Sequence, residues 1–401
     1  MCDTDSLYRF SPDPGYRSHE VKPESATIAL SVRVIGAQDH NDHFKTASNS
    51  EEARFPRVPQ DNRLLKLVSW PSGTLPLASS VYNRKGAEWL AKNALSIGLQ
   101  TQERIQENGR IYQGQGIGSY LLPCDETELD RLDFMHALFV KVLNSPKPIH
   151  VLHPSNGRFL DLGCGTGIWA MEIAKAYPNA YVLGVDISAI QPGFHPKNCV
   201  FRVPFNYEYP WLVGEGQWDV IHMRMGCGSV SDWPRLYTRI LDHLRCDAWF
   251  EQLEVNFEPR CNDRPLGKGP LFFWYQSLKA ATEKSKREIA HSPEKTLWWL
   301  QEVGFSDISH EEYVLPMNPR KQPMCEKAAR WYRAAFAESI QPLSIAPFTR
   351  AHGWTLEEIQ SVVGPALAEA LDPNTDFFYT LHVYKARKRP KDEALGGTIR
   401  P

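Results

Sequence analysis

The chain has no surplus of positive charge: 45 Lys and Arg stand against 47 Asp and Glu over 401 residues. A protein that grips nucleic acid through its phosphates carries a basic face. Direct sequence-specific nucleic-acid binding is therefore not expected. Cysteine is present eight times, at 2, 124, 164, 199, 227, 246, 261 and 325, but never as C-x-x-C and never at metal-like spacing to histidine. Those thiols read as buried or idle in a reducing compartment, and no metal is expected. The opening Met1-Cys-Asp-Thr-Asp-Ser lacks the basic and apolar regions of a secretory leader. No uncharged apolar run approaches the ~18 residues of a membrane span. The expectation is a soluble intracellular protein without membrane contact.

Residues 1–60 are rich in Ser, Asp, Asn, Pro and charge, and they read as mostly disordered. Residues 61–104 form an ill-defined linker, with a possible helix at 85–98. Regular patterning begins near 105 and runs to about 390, and 391–401 is a polar tail. Within the patterned region, strands are predicted at 158–163, 181–185, 199–203, 218–223, 248–255, 310–315 and 377–386. Helices are predicted at 168–177, 234–244, 271–290, 294–303, 325–341 and 355–370. Such alternation implies an α/β fold with a mainly parallel seven-stranded sheet, helices on both faces and a helical N-terminal lid. The last two strands are expected to form an antiparallel hairpin.

A ligand on this kind of sheet lies beyond the carboxyl ends of the strands, where the strand order reverses. The first strand leaves through Asp161-Leu-Gly163-Cys-Gly165-Thr-Gly167. Three glycines at spacing two permit a sharp turn and close approach of a ligand. The helix that follows offers free N–H groups and a positive dipole end to an anion. A dinucleotide site wants G-x-G-x-x-G, whereas position 168 here is Ile. The spacing instead matches proteins that bind S-adenosylmethionine. Asp186, nineteen residues past Gly167, ends the second strand and can accept ribose hydroxyls. Ile187 follows it. After the third strand, Phe205 can flank an adenine and Asn206 can hydrogen-bond its edge. The bland reading is that the glycine segment is only a turn.

Three segments carry a wider resemblance: Glu107–Leu138, Arg158–Pro192 and Asp219–Pro234. They resemble the fungal LaeA-like methyltransferases, over about 105–388. The resemblance implies a class I S-adenosylmethionine-dependent methyltransferase fold. It also implies a nuclear regulator of secondary metabolism and development, sporulation included, acting with velvet proteins of the VeA and VelB type. Two stretches depart from the broad methyltransferase pattern. Pro204-Phe205-Asn206 replaces an acidic pair, and Leu244-Arg-Cys-Asp-Ala248 replaces a Gly-rich turn.

The methyl acceptor is less legible. There is no Asn-Pro-Pro-Tyr motif and no catechol-type metal site. The acceptor pocket is expected at the exit of the fourth strand, His222-Met-Arg-Met225-Gly. His222 is a candidate base, with a structural role as the alternative. Met225 is a candidate self-methylation site, because a thioether accepts a methyl without losing a proton; its alternative is apolar lining. Tyr120, in a glycine-rich stretch (109, 114, 116, 118), is the candidate lid contact. Lys385-Ala-Arg-Lys-Arg-Pro-Lys391 reads either as a nuclear import signal or as a solvated tail.

Overall fold

The computed structural model describes residues 29–33, 104–114, 120–144, 148–321 and 326–389. The strands are β1 (Ala29–Arg33), β2 (Arg104–Glu107), β3 (Arg110–Gln113), β4 (Arg158–Leu162), β5 (Tyr181–Val185), β6 (Cys199–Arg202), β7 (Trp218–Arg224), β8 (Leu244–Cys261), β9 (Ser306–Pro316) and β10 (Phe377–Arg387). The helices are α1 (Glu126–Leu143), α2 (Ile168–Ala176), α3 (Trp233–His243), α4 (Pro270–Lys284), α5 (Pro293–Val303), α6 (Glu326–Ile340), α7 (Pro342–Pro347) and α8 (Leu356–Ala370), with a π turn at Phe348–His352.

The main sheet runs β6-β5-β4-β7-β8-β10-β9-β1. Its pairs are parallel except where β10 lies antiparallel between β8 and β9. This is the class I methyltransferase arrangement with one strand added at the edge, where Ala29–Arg33 pairs in parallel with Ser309–Tyr313. The sheet therefore has eight strands rather than seven, and the polar N-terminal stretch contributes one of them. The rest of 1–60, the possible helix at 85–98 and the tail at 391–401 lie outside the described residues. β9 and β10 pair as expected but are no hairpin, because α6, α7 and α8 intervene between them.

Side-chain alternation puts two cores on the sheet. On β10, Phe377, Tyr379, Leu381 and Val383 face one core, shared with α1, α4, α6 and α8. Tyr384 and Ala386 face the other, shared with α3 and α5. α2 packs Trp169 and Ile173 on Phe159, Val182 and Val220.

Local chemistry sets the helix starts. Asp125 caps α1 through the Glu128 N–H and also takes a two-point bond from Arg110, at 2.7 and 2.8 Å. That tie fastens the small hairpin β2–β3 to the helix. Asp232 caps α3, Ser292 caps α5, and Thr355 with Glu358 forms a capping box on α8.

Candidate functional site

The strand order reverses between β4 and β7, and the main cavity opens there at their carboxyl ends. Gly163, Gly165 and Gly167 have φ of 69°, 56° and 78°. This left-handed backbone costs other residues about 1–2 kcal/mol each. At Gly167 space is also lacking, since a Cβ would stand 2.4 Å from the Phe201 ring. The turn is fastened to the next strand. Gly163 and Cys164 donate to the Val185 carbonyl at 2.9 and 3.0 Å, and Gly165 donates to Asp186 Oδ2 at 2.9 Å.

Asp186 also accepts the Ser188 N–H on Oδ1, at 2.8 Å. Each oxygen keeps a further acceptor site for a hydroxyl. Desolvation raises its carboxyl from 3.8 to about 6. Ile187, Phe205 and Asn206 continue the wall. The Phe205 N–H donates to the Asp186 carbonyl, and Asn206 Oδ1 accepts the Glu208 N–H at 2.9 Å, leaving the amide nitrogen for a ligand. Tyr120 closes the cavity from the segment before α1. Burial pushes its phenol well up, so it acts as a neutral hydrogen-bonding group. Gly116 and Gly118 of the expected lid loop lie outside the described residues.

The exit of β7 brings Met223, Arg224 and Met225 to the same cavity. Met225 has φ of 55°, and its N–H donates to the Leu253 carbonyl at 2.9 Å. A methionine in left-handed backbone at a cavity wall is a strained residue of the kind that concentrates at functional sites.

Three expected site residues do not line this cavity. Gly167 serves the turn and its contact with Phe201. Asp161 is buried and bonds His222, with Oδ1 3.1 Å from Nδ1. His222 is buried against α2, its ring stacked on Trp169 at 3.7 Å between centroids. It is therefore no base toward this cavity, and burial lowers its pKa, keeping the ring neutral. The physical reason is alternation: Asp161 and His222 share a face with Phe159 and Val220, under α2, rather than pointing along the strand exit.

Arg131, Leu132, Glu208 and Arg287 of the cavity wall escaped the sequence reading, whereas Asp133 lies in the segment Glu107–Leu138 that carried the resemblance. Arg131 lines the cavity while held by Glu128 at 2.9 and 2.6 Å and by Ser339 at 3.3 Å. Leu132 lies over Gly165, and Asp133 accepts the Thr166 hydroxyl at 2.6 Å, so α1 is clamped directly onto the glycine turn. Glu208 and Arg287 pair at 2.7 Å near the mouth, and Glu208 also accepts from Ser231. The Glu128-x-x-Arg131 spacing on a helix was the one available signal.

The set fits S-adenosylmethionine. The positive-φ glycines allow close approach of its amino acid part, Asp186 can take its ribose hydroxyls, and Phe205 with Asn206 can meet its adenine. Bound there, it would supply an activated methyl to a cavity that Met223 and Met225 also line.

A family model described as a methyltransferase domain matches residues 135–310. The protein-methionine methyltransferase laeA of Emericella nidulans is 53% identical over 308 residues, covering 77% of this chain and 82% of that one. The secondary metabolism regulator laeA of Aspergillus fumisynnematus is 51% identical over 371 residues, covering 91% and 96%. The regulator LAE1 of Cochliobolus heterostrophus is 38% identical, covering 75% and 99%. Among solved structures, a phosphoethanolamine N-methyltransferase of Haemonchus contortus in complex with S-adenosyl-L-methionine superposes with a TM-score of 0.41 at 15% identity, covering 77% and 75%. With its class I sheet, its glycine turn and relatives this similar over most of their length, the chain belongs to the LaeA-like family of fungal methyltransferases.

Proposed function

We propose that this methyltransferase regulates secondary-metabolite gene clusters and development from the nucleus, in company with VeA- and VelB-type velvet proteins, and that it methylates its own Met225. One observation carries the acceptor: Met225, in strained backbone, borders the same cavity as Gly163 and Asp186. S-adenosylmethionine supplies an already activated methyl. The Met225 sulfur would give a lone pair to that carbon as the donor's carbon–sulfur bond breaks. The products are a sulfonium on Met225 and neutral S-adenosylhomocysteine. No proton moves, so no base is required. This suits a cavity that His222 does not reach. The residues around it need only position and exclude water.

The regulatory part rests on the likeness to secondary metabolism regulators of the laeA type. The basic stretch lends it little support. Lys385 pairs with Glu311, Arg387 and Arg389 with Asp307, and Lys388 caps the end of α3 through the Leu241 and Leu244 carbonyls. These cations fasten the last strand. Nuclear location is checked by imaging a tagged chain, and partnership by co-purification with the velvet proteins.

The reading is tested with Gly163→Ala/Gly165→Ala. Calorimetry should show loss of S-adenosylmethionine binding, and the variant should fail to complement a deletion host. A variant that loses binding yet restores regulation would replace the enzyme with a binding scaffold.

A further inference from the structure

A second cavity, of about 470 Å³, lies on the α1/α2 face of the sheet, between those helices and strands β7 and β8. Methyl transfer as described above makes no use of it. Part of its wall is apolar: Phe139, Val140, Leu143, Trp169 and Leu253. The remainder is charged and incompletely satisfied.

Glu251 is fully buried. Its Oε2 accepts the His150 backbone N–H at 2.8 Å and stands 3.3 Å from His150 Nδ1. Its Oε1 has no hydrogen-bond partner. His222 Nε2 stands 3.8 Å from that oxygen. His222 spends Nδ1 on Asp161. A neutral ring that donates there leaves Nε2 as an acceptor. Two acceptors therefore face each other with no donor between them, which is costly in a buried site.

A cation stands in the same lining. Arg224 donates to His136 Nδ1 at 3.0 Å, and His136 Nε2 in turn meets Glu172 at 3.1 Å. Among the described residues no carboxylate pairs with Arg224 itself, which leaves most of its five donors for a ligand. Charged groups facing the cavity are thus Glu251, Glu172, Arg224 and Lys175, two of each sign. A simple cation would be repelled by Arg224 and a simple anion by Glu251.

We infer that this cavity binds a small zwitterion with an apolar body, the chemistry of an apolar α-amino acid. The ammonium donates to Glu251 Oε1 and His222 Nε2. The carboxylate lies on Arg224. The side chain packs on Phe139, Leu143 and Trp169.

Calorimetric titration of the full chain tests this with three probes: L-leucine, isoamylamine, which lacks the carboxylate, and 4-methylpentanoate, which lacks the ammonium. Leucine should bind once per chain, and each truncated probe at least about tenfold more weakly. Glu251→Gln should weaken leucine about tenfold or more. Val140→Trp, at an exposed position on the cavity wall, should block leucine without disturbing the fold. Both variants should bind S-adenosylmethionine as before. The assignment falls if leucine gives no signal up to about 10 mM. It also falls if a truncated probe binds as well as leucine, or if Val140→Trp leaves leucine binding unchanged.

Discussion

At the exits of β4, β5 and β7, Gly163, Asp186 and Met225 border the main cavity; within β4 and β7, Asp161 and His222 turn under α2 instead, where His222 stacks on Trp169 and faces the second cavity. His222 and Met225 are only three residues apart. One lies within a strand, where its direction is dictated by alternation and its environment by a packed helix. The other lies just beyond the strand, in left-handed backbone held by one last bond to the Leu253 carbonyl of β8. Chemistry that needs a ligand is served by the exit, where side chains and backbone N–H groups are not consumed by the sheet. Histidine type alone says nothing about which of these places it occupies.

The largest effect is expected at His222. Replacing it with Ala removes the Trp169 stack and leaves buried Asp161 without its partner. Unfolding by urea should show a loss of about 3–5 kcal/mol, while S-adenosylmethionine affinity stays within about threefold. A stable variant that no longer binds the cofactor would put His222 back in the site. Next comes Gly167→Ala, with left-handed backbone and a Cβ 2.4 Å from Phe201. It should cost about 2–4 kcal/mol. Gly163→Ala, whose Cβ would meet Tyr207 Cε1 in ordinary contact at 3.6 Å, should cost about 1–2 kcal/mol through its backbone alone and act on cofactor binding instead.

Asp186 sharpens the comparison through pH. Its carboxyl is raised from 3.8 to about 6 by desolvation. Between those values the folded chain holds a proton that the unfolded chain has lost. The stabilisation from this group is therefore full below the unfolded value and disappears as pH rises through about 6. Cofactor affinity should move the other way, rising through the same window as the carboxylate forms. Asp186→Asn should flatten both slopes in paired denaturation and titration series and weaken binding about tenfold or more. The smallest effect is expected far from both cavities. Thr355→Ala breaks the α8 capping box and should cost about 1 kcal/mol in the same urea assay, with binding unchanged.

Much of this was readable beforehand. The strands at 158–163 and 181–185 follow from short apolar runs ending at Gly163 and Asp186, and the helix opened by Asp232-Trp-Pro234 follows from its cap. Gly163, Gly165, Asp186, Ile187, Phe205 and Asn206 were placed at the cavity because motif spacing fixes the turn and the strand ends, and Tyr120 because the segment Glu107–Leu138 resembles a lid. Asp161 and His222 were misplaced for want of one step: alternation from Phe159 and Val220 would have turned them both under α2. Arg131 and the Glu208–Arg287 pair were out of reach, because which helix face meets which turn depends on packing between segments far apart in sequence. The strand Ala29–Arg33 gave no signal beyond a brief apolar alternation in a polar stretch, and only the exposed edge of β9 recruits it.

The central claim is that the exit of β7, and not the histidine behind it, receives the methyl group. The direct measurement is peptide mapping by mass spectrometry after incubating the purified chain with isotope-labelled S-adenosylmethionine. The account expects one labelled methyl on the peptide containing Met225, retained in His222→Gln and lost in Met225→Ala. Label that persists in Met225→Ala, or that appears on wild-type peptides other than this one, would contradict it.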